Sequence, residues 1–395
     1  MPRDRRSPLL ALGVAAFLLP FTSGAQEKLP LPSLAPDRIQ ALRGCLNEHG
    51  LPPEDYVLSQ FEDHDVVFLG EYHCIEHVGL FIQSLVPRLY ERGIHALAVE
   101  HARRVDQPLI DSLLAGDTYD EALAREIVFR QYLHHGMREY VDVFRAAWEL
   151  DRSLSPDQPR FTILGVNNAP DWSYVKTPED RDRDEVKRKV WHGETEEDWA
   201  EVVLDRVARG EKVLVYSGMH HAFTEYAMPI VNGATGEFIR LYPERMGNYV
   251  YERIGKRAVT IALHSPWPDV GGEFSRYAVD GAIDALMQEL GPEAYPVGFD
   301  TRGSPFGDLT AGGDCLYAQG HEGFTLSDWC DGYVFHRPIS EFEGMTPIPD
   351  FVNQDNLERA RAISWDPRFR DASIGMFQFS LLQSANIKGK FRRFH

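Results

Sequence analysis

The chain has 395 residues, 41 Lys+Arg against 60 Asp+Glu, and a formal net charge of −19; 43% of it is hydrophobic and 26% charged. These values exclude a disordered, collagen-like or multi-span membrane chain. The acidic balance argues against a nucleic-acid partner, which basic patches serve, and the length fits one large α/β domain or two smaller ones.

In chain order, the first segment is a targeting pattern. Arg3, Arg5 and Arg6 precede the apolar run Leu9–Phe21, and Ser23-Gly24-Ala25 offers a small-x-small cleavage site. That is the three-part layout of a secretory signal peptide. The apolar run falls short of the ~20 residues that span a bilayer. Removing residues 1–25 takes away three Arg and one Asp and leaves a formal charge of −21. No second long apolar stretch follows, so the mature protein is expected to be secreted or periplasmic, with no membrane span. It divides into a main domain, 26–350, and a C-terminal extension, 351–395. The extension ends in a short basic tail, Lys388, Lys390, Arg392 and Arg393.

Export into an oxidising compartment makes disulfides the expectation for Cys45, Cys74, Cys315 and Cys330. Cys315–Cys330 closes a short loop and is the preferred pair, with Cys45–Cys74 as its complement. No CxxC occurs. A thioredoxin-type redox site or a zinc ribbon therefore has no support.

Short apolar runs at Asp65–Leu69, His95–Val99, Phe161–Val166, Val213–Ser217, Ala258–Leu263 and Pro296–Phe299 read as strands. Segments of helical period separate them, such as Glu76–Arg92 with Leu80, Phe81, Leu85 and Leu89 on one stripe. Continuous apolar strands between amphipathic helices predict an α/β fold, a mainly parallel sheet flanked by helices on both faces. Residues 168–199 read as a helical or loop insertion, and 301–350, rich in Gly and Pro, as a loop region.

The polar residues collect where the strands end. The first strand runs into Gly70-Glu71-Tyr72-His73, with His77 four residues on; the second into Glu100-His101; the fourth into Gly218-Met219-His220-His221. Ligands bind at the carboxyl edge of open parallel sheets, so these groups are predicted to converge. Five of the fifteen histidines fall between His64 and His101. Gly-x-x-His occurs twice, each time directly after an apolar strand. Imidazole with carboxylate suits zinc, manganese, iron or cobalt, or acid–base work near neutral pH. Each of these residues also has a structural alternative, as a hydrogen-bonded core histidine or a paired carboxylate. Tyr72 and Tyr216 read as packing residues. No Gly-x-Ser-x-Gly elbow, His-Glu-x-x-His helix or Walker loop is present, which removes those hydrolase and NTPase templates.

Asp65-Val-Val-Phe-Leu-Gly-Glu-Tyr-His73, Ala98-Val-Glu100, Arg104-Val-Asp-Gln107, Ile110-Asp111 and Leu114-Ala-Gly116 resemble the ChaN-like haem-binding family. Val213-Leu-Val-Tyr-Ser-Gly-Met-His-His221 resembles that family's second Gly-x-x-His. The family groups with the Tiki/TraB metalloproteases and, more remotely, the erythromycin esterases, whose first loop has one more residue before its His. From the Tiki side the resemblance implies a divalent-metal hydrolase with Glu71, His73 and His221 on the metal; Glu100 is the alternative acid there, and whichever of Glu71 and Glu100 does not hold the metal would be the catalytic general base. The substrate would be a small molecule or peptide. From the ChaN side it implies haem as the alternative cofactor, with His73, His77, His101 and His220 as candidate contacts. The chain is longer than ChaN-like lipoproteins, lacks their lipid-bearing Cys and carries the 168–199 insertion.

Overall fold

The computed structural model describes residues 28–395, so the signal-like segment 1–25 lies outside the described residues. Seven strands form the central sheet: β1 (Val66–Glu71), β2 (Ala96–Arg103), β3 (Thr162–Asn167), β4 (Val213–Gly218), β5 (Ala258–Leu263), β6 (Val297–Asp300) and β7 (Gly332–Phe335). Their order is β6-β7-β5-β1-β4-β2-β3. All neighbours run parallel except β6, which is antiparallel to β7. All six apolar runs are strands. β7 lies inside the segment expected to be loop, because four residues between Gly- and Pro-rich neighbours give too short a pattern to register.

Side-chain alternation assigns the two faces. Val67 and Leu69 of β1 enter a core with Phe81, Ile82 and Leu85 of the helix Glu76–Glu91 and Tyr140, Val143 and Phe144 of the helix Arg138–Ser153. Val66 and Phe68 enter the opposite core, with Trp199 and Val203 of the helix Glu196–Ala208 and Val250 of the helix Met246–Ile254. Burial on both faces is what makes the strands continuously apolar. On the first helix the stripe is corrected: Leu80 is half exposed. Val78 and Ile82 stand beside Phe81, Leu85 and Leu89 instead.

A third core joins the helices Pro36–His49 and Ala282–Leu290 to Phe299, Phe306, Tyr317 and Trp329. The Gly- and Pro-rich region is therefore packed through its aromatics. The 168–199 segment is short helical turns up to Glu194. Its last residues begin the core helix Glu196–Ala208, where Trp199 is buried.

The disulfide expectation fails, since all four cysteines are free thiols. Cys74 is buried in the first core, whereas Cys45 packs against the third. Cys315 and Cys330 share that third core, where both remain buried thiols. Among the described residues no helix is long and apolar enough to cross a membrane.

Candidate functional site

The register of three adjacent strands builds the site. β1 pairs with β4 so that Glu71 lies opposite Gly218, and β2 pairs with β4 so that Val99 lies opposite Tyr216. Glu71 and Gly218 end their strands, and Glu100 stands beside them just past the last β2–β4 pair, at one edge. Glu71 has the parity of Val67 and Leu69, whereas Glu100 has that of Ala98, which faces the other core. The two carboxylates leave opposite faces of the sheet and are linked over its rim by histidines.

Glu71 is buried and accepts from three donors: His73 Nδ1 at 2.8 Å, Tyr140 Oη at 2.7 Å, and Tyr216 Oη. Burial, with the Glu71 charge beside them, holds both phenols well above their ordinary pKa, so they stay protonated donors. Tyr140 Oη also accepts the Cys74 amide at 3.1 Å. Cys74 has φ +66°, a left-handed conformation that costs a non-glycine residue about 1–2 kcal/mol. The bond from Tyr140, and that from the Met345 amide to the Cys74 carbonyl at 2.9 Å, hold this turn in place.

Beyond His73 the chain of contacts continues. His73 Nε2 lies 4.0 Å from Glu100 Oε1, and His221 Nε2 lies 3.5 Å from the same oxygen. Glu100 Oε2 accepts the Gly218 amide at 2.6 Å. His221 Nδ1 meets Glu196 Oε2 at 2.8 Å, and Glu196 also accepts from Arg245 Nη1 at 2.8 Å and the Met246 amide at 2.9 Å. Trp199 packs on the His221 ring, centroids 4.9 Å apart. Each imidazole therefore has its own carboxylate at Nδ1 and turns Nε2 toward one shared carboxylate. The His73 side chain is 37% exposed and that of His221 22%, against 10% for Glu100. The ring edges are open while the carboxylate lies beneath them.

The charges are mutually reinforcing. Burial works against a charged His73, but Glu100 and Glu71 outweigh it and push the imidazole up to about 9. Burial likewise opposes charge on His221, and Glu196 and Glu100 raise it. Burial lifts Glu100, yet His221 and His73 bring it below the usual carboxylate range; His221 and Arg245 hold Glu196 down to about 2 against its own burial. Each imidazole is thus raised by the carboxylates it faces, and Glu100 and Glu196 are lowered by the imidazoles in return.

Both glycines of the paired motifs are close-approach positions. A Cβ on Gly70 would meet Met219 Sδ at 2.2 Å, and one on Gly218 would meet His73 Nε2 at 2.8 Å and Cε1 at 2.9 Å. Gly218→Ala is accordingly expected to displace the His73 ring while leaving the sheet folded. Because ~1 Å misplacement at a reacting group costs about 10²-fold, any turnover at this site should fall by that order at near-wild-type thermal stability. Kinetics and a melting curve on the same preparation check it.

The other candidate residues lie outside this array. His101 is buried beneath it, 5.1 Å from the Tyr140 ring, and has no open edge. His77 is buried against His336 and Phe342, centroids 5.3 and 4.8 Å away. His220 Nε2 meets Tyr317 Oη at 3.0 Å, and its ring stacks between Phe223 and Phe274. Three functional groups escaped the sequence reading. Glu196 opens a helix behind Thr195, in a capping box with Asp198, where an acid is expected for local reasons alone. Arg245 sits at the cap of the helix Met246–Ile254, and Tyr140 falls on the apolar face of a long amphipathic helix. Tyr216, read as packing, is a Glu71 donor.

The metal set expected from sequence does not converge. Glu71 stands on the Nδ1 side of His73 with its oxygens taken by three donors, away from the Nε2 atoms. Among the described residues no three His, Cys, Asp or Glu side chains are grouped to hold a metal ion. The four haem contacts do not fit as a set either: His77 and His101 are buried and His220 is held by Tyr317, leaving His73 as the one with a substantially open ring.

Residues 57–155 match the family model described as haem-binding uptake, Tiki superfamily, ChaN. That stretch holds Glu71, His73, Glu100 and Tyr140. The match spans about a quarter of the chain, and over it the chain is similar to the ChaN/Tiki superfamily. Among solved structures, a Bacillus cereus protein is 13% identical, with 78% of this chain and 99% of that one covered at a TM-score of 0.48. The Campylobacter jejuni ChaN structure, titled for cofacial haem binding, is 14% identical, with 56% and 89% covered at 0.37. Erythromycin esterase EreC, in a variant's open conformation, is 11% identical, with 75% and 95% covered at 0.46. A comparison with curated proteins finds no match. His221, Glu196 and Arg245 complete the array from outside the ChaN/Tiki segment.

Proposed function

We propose that the array is the centre of a hydrolase that activates water by acid–base catalysis and cleaves a carboxylic ester or amide. The observation that carries this is the convergence of two Nε2 atoms on one oxygen, Glu100 Oε1, at 4.0 and 3.5 Å. A water at this point would give its proton to Glu100 while its oxygen bonds to the substrate carbonyl carbon. One imidazolium Nε2–H would hold the developing oxyanion. The other would give its proton to the leaving group as the scissile bond breaks, and Glu100 would then return its proton to that imidazole. Glu71 and Glu196 are positioning residues that fix the ring orientations through Nδ1. No step runs through a metal, because the Glu71–His73–His221 donor set does not assemble.

The experiment is hydrolysis of simple carboxylic esters and peptides by wild type and Glu100→Gln. General acid–base groups contribute about 10²–10⁴-fold, so a loss of that size in kcat, unaffected by chelator treatment, is expected. Wild-type rates in the variant, or no cleavage by wild type, would overturn the proposal. The N-terminal pattern makes export part of it: the secreted or periplasmic chain should begin after Ala25.

A second reading is favoured by the ChaN/Tiki family match: a haem-binding protein with His73 as its exposed contact. Under it, haem titration gives a Soret shift that His73→Ala removes and Glu100→Gln leaves in place.

A further inference from the structure

The C-terminal extension carries a feature that the site does not use. Its helix Ile374–Ala385 buries Phe377 and Leu381 but leaves Met376, Phe379 and Leu382 exposed, at 47%, 52% and 57%. Their spacing of three residues spreads them over about 120° of the helix surface. Residues 372–395 contain four Lys/Arg and no Asp or Glu. This is a local charge of +4 in a chain totalling −19, so the remainder carries −23. The basic tail is not a loose end. Ile387, Phe391 and Phe394 are buried, and the Phe391 ring lies 5.0 Å from Tyr72, beside His73. Lys390 Nζ donates to the Ser384 carbonyl at 2.7 Å, which holds that ammonium inward, on the side of Cys74. Lys388 meets Glu343 at the surface, and Arg392 is exposed.

We propose that this helix face and the adjoining basic tail dock on an anionic lipid bilayer surface. The charge complementarity is specific to this end of the molecule, since the rest would be repelled. An apolar helix face followed directly by a basic tail suits a partner with negative charge outside and hydrocarbon beneath. A nucleic acid meets the first requirement but not the second. The protein lies on the membrane without spanning it, and burying Phe379, Met376 and Leu382 brings the tail's cations to the headgroups.

Co-flotation of the full chain with lipid vesicles tests this. Binding is expected to vesicles containing phosphatidylglycerol, to be weak with phosphatidylcholine alone, and to fall at high salt. Each cation near an anionic surface is worth about fivefold, so Lys388→Gln/Arg392→Gln/Arg393→Gln should lower partitioning by about 10²-fold. Met376→Ser/Phe379→Ser/Leu382→Ser, which alters only exposed side chains, should lower it by at least tenfold with an unchanged melting temperature. Equal binding to both vesicle types, or partitioning untouched by either triple variant, overturns the proposal. So does a stripe variant that shifts the oligomeric state without changing vesicle binding, because the stripe would then face a second copy of the chain.

Discussion

Glu196→Gln is expected to destabilise the folded protein by about 3–5 kcal/mol, the cost of removing one partner from a buried ion pair. Glu196 answers three donors, Arg245, His221 and the Met246 amide, and Arg245 is only 6% exposed. Neutralising the carboxylate leaves the buried Arg245 guanidinium without its counter-charge, beside the His221 ring that Glu196 also orients. The same contact explains the direction of the acid limb. Because Glu196 is held down to about 2 in the fold, its contribution is complete above the ordinary carboxylate pKa and is lost as pH falls toward 2. Urea unfolding at neutral pH reads the effect. A variant as stable as wild type would mean that the Arg245–Glu196–His221 contacts carry no net energy.

The second large effect is acid lability beginning near pH 6.5. Burial above all, with the Arg337 charge beside both, lowers His77 to about 2 and His336 to about 3. Both are neutral in the fold and take up protons at ~6.5 when unfolded. Their contribution is therefore full above that value and drains away as pH falls. Each loses about 2 kcal/mol between pH 7 and pH 5 by linkage. His73 acts in the opposite sense: raised to about 9, it contributes fully below ~6.5 and loses its effect as pH rises through 9. These two histidines alone should cost wild type about 4 kcal/mol between pH 7 and 5, and His101, His134 and His220, lowered by burial in the same way, add to the loss. His77→Leu/His336→Leu should lose markedly less over that interval. Equal wild-type stability at both pH values would contradict the assignment.

The fold was legible because its central strands are buried on both faces, which leaves uninterrupted apolar runs such as Val66–Leu69 and Val213–Val215. The first half of the site was legible for a related reason. A Glu or His directly after such a run has nowhere to sit except the sheet edge, and Gly70 and Gly218 mark where backbone and side chains crowd. Glu196 and Arg245 were hidden because their local surroundings already explain them as helix-end residues. Tyr140 was hidden because a buried tyrosine on an amphipathic helix looks like core until its hydroxyl is seen to find Glu71. The cysteine pairing failed on three-dimensional grounds: Cys45 and Cys74 belong to different cores, which loop length cannot reveal.

Proton NMR titration of the His73 and His221 rings, in wild type and Glu100→Gln, tests the shared-carboxylate geometry most directly. The expected result is a His73 pKa near 9, His221 above its ordinary value, and a fall in both when Glu100 loses its charge. Two rings titrating near 6.5, indifferent to the substitution, would mean that the imidazoles do not share Glu100.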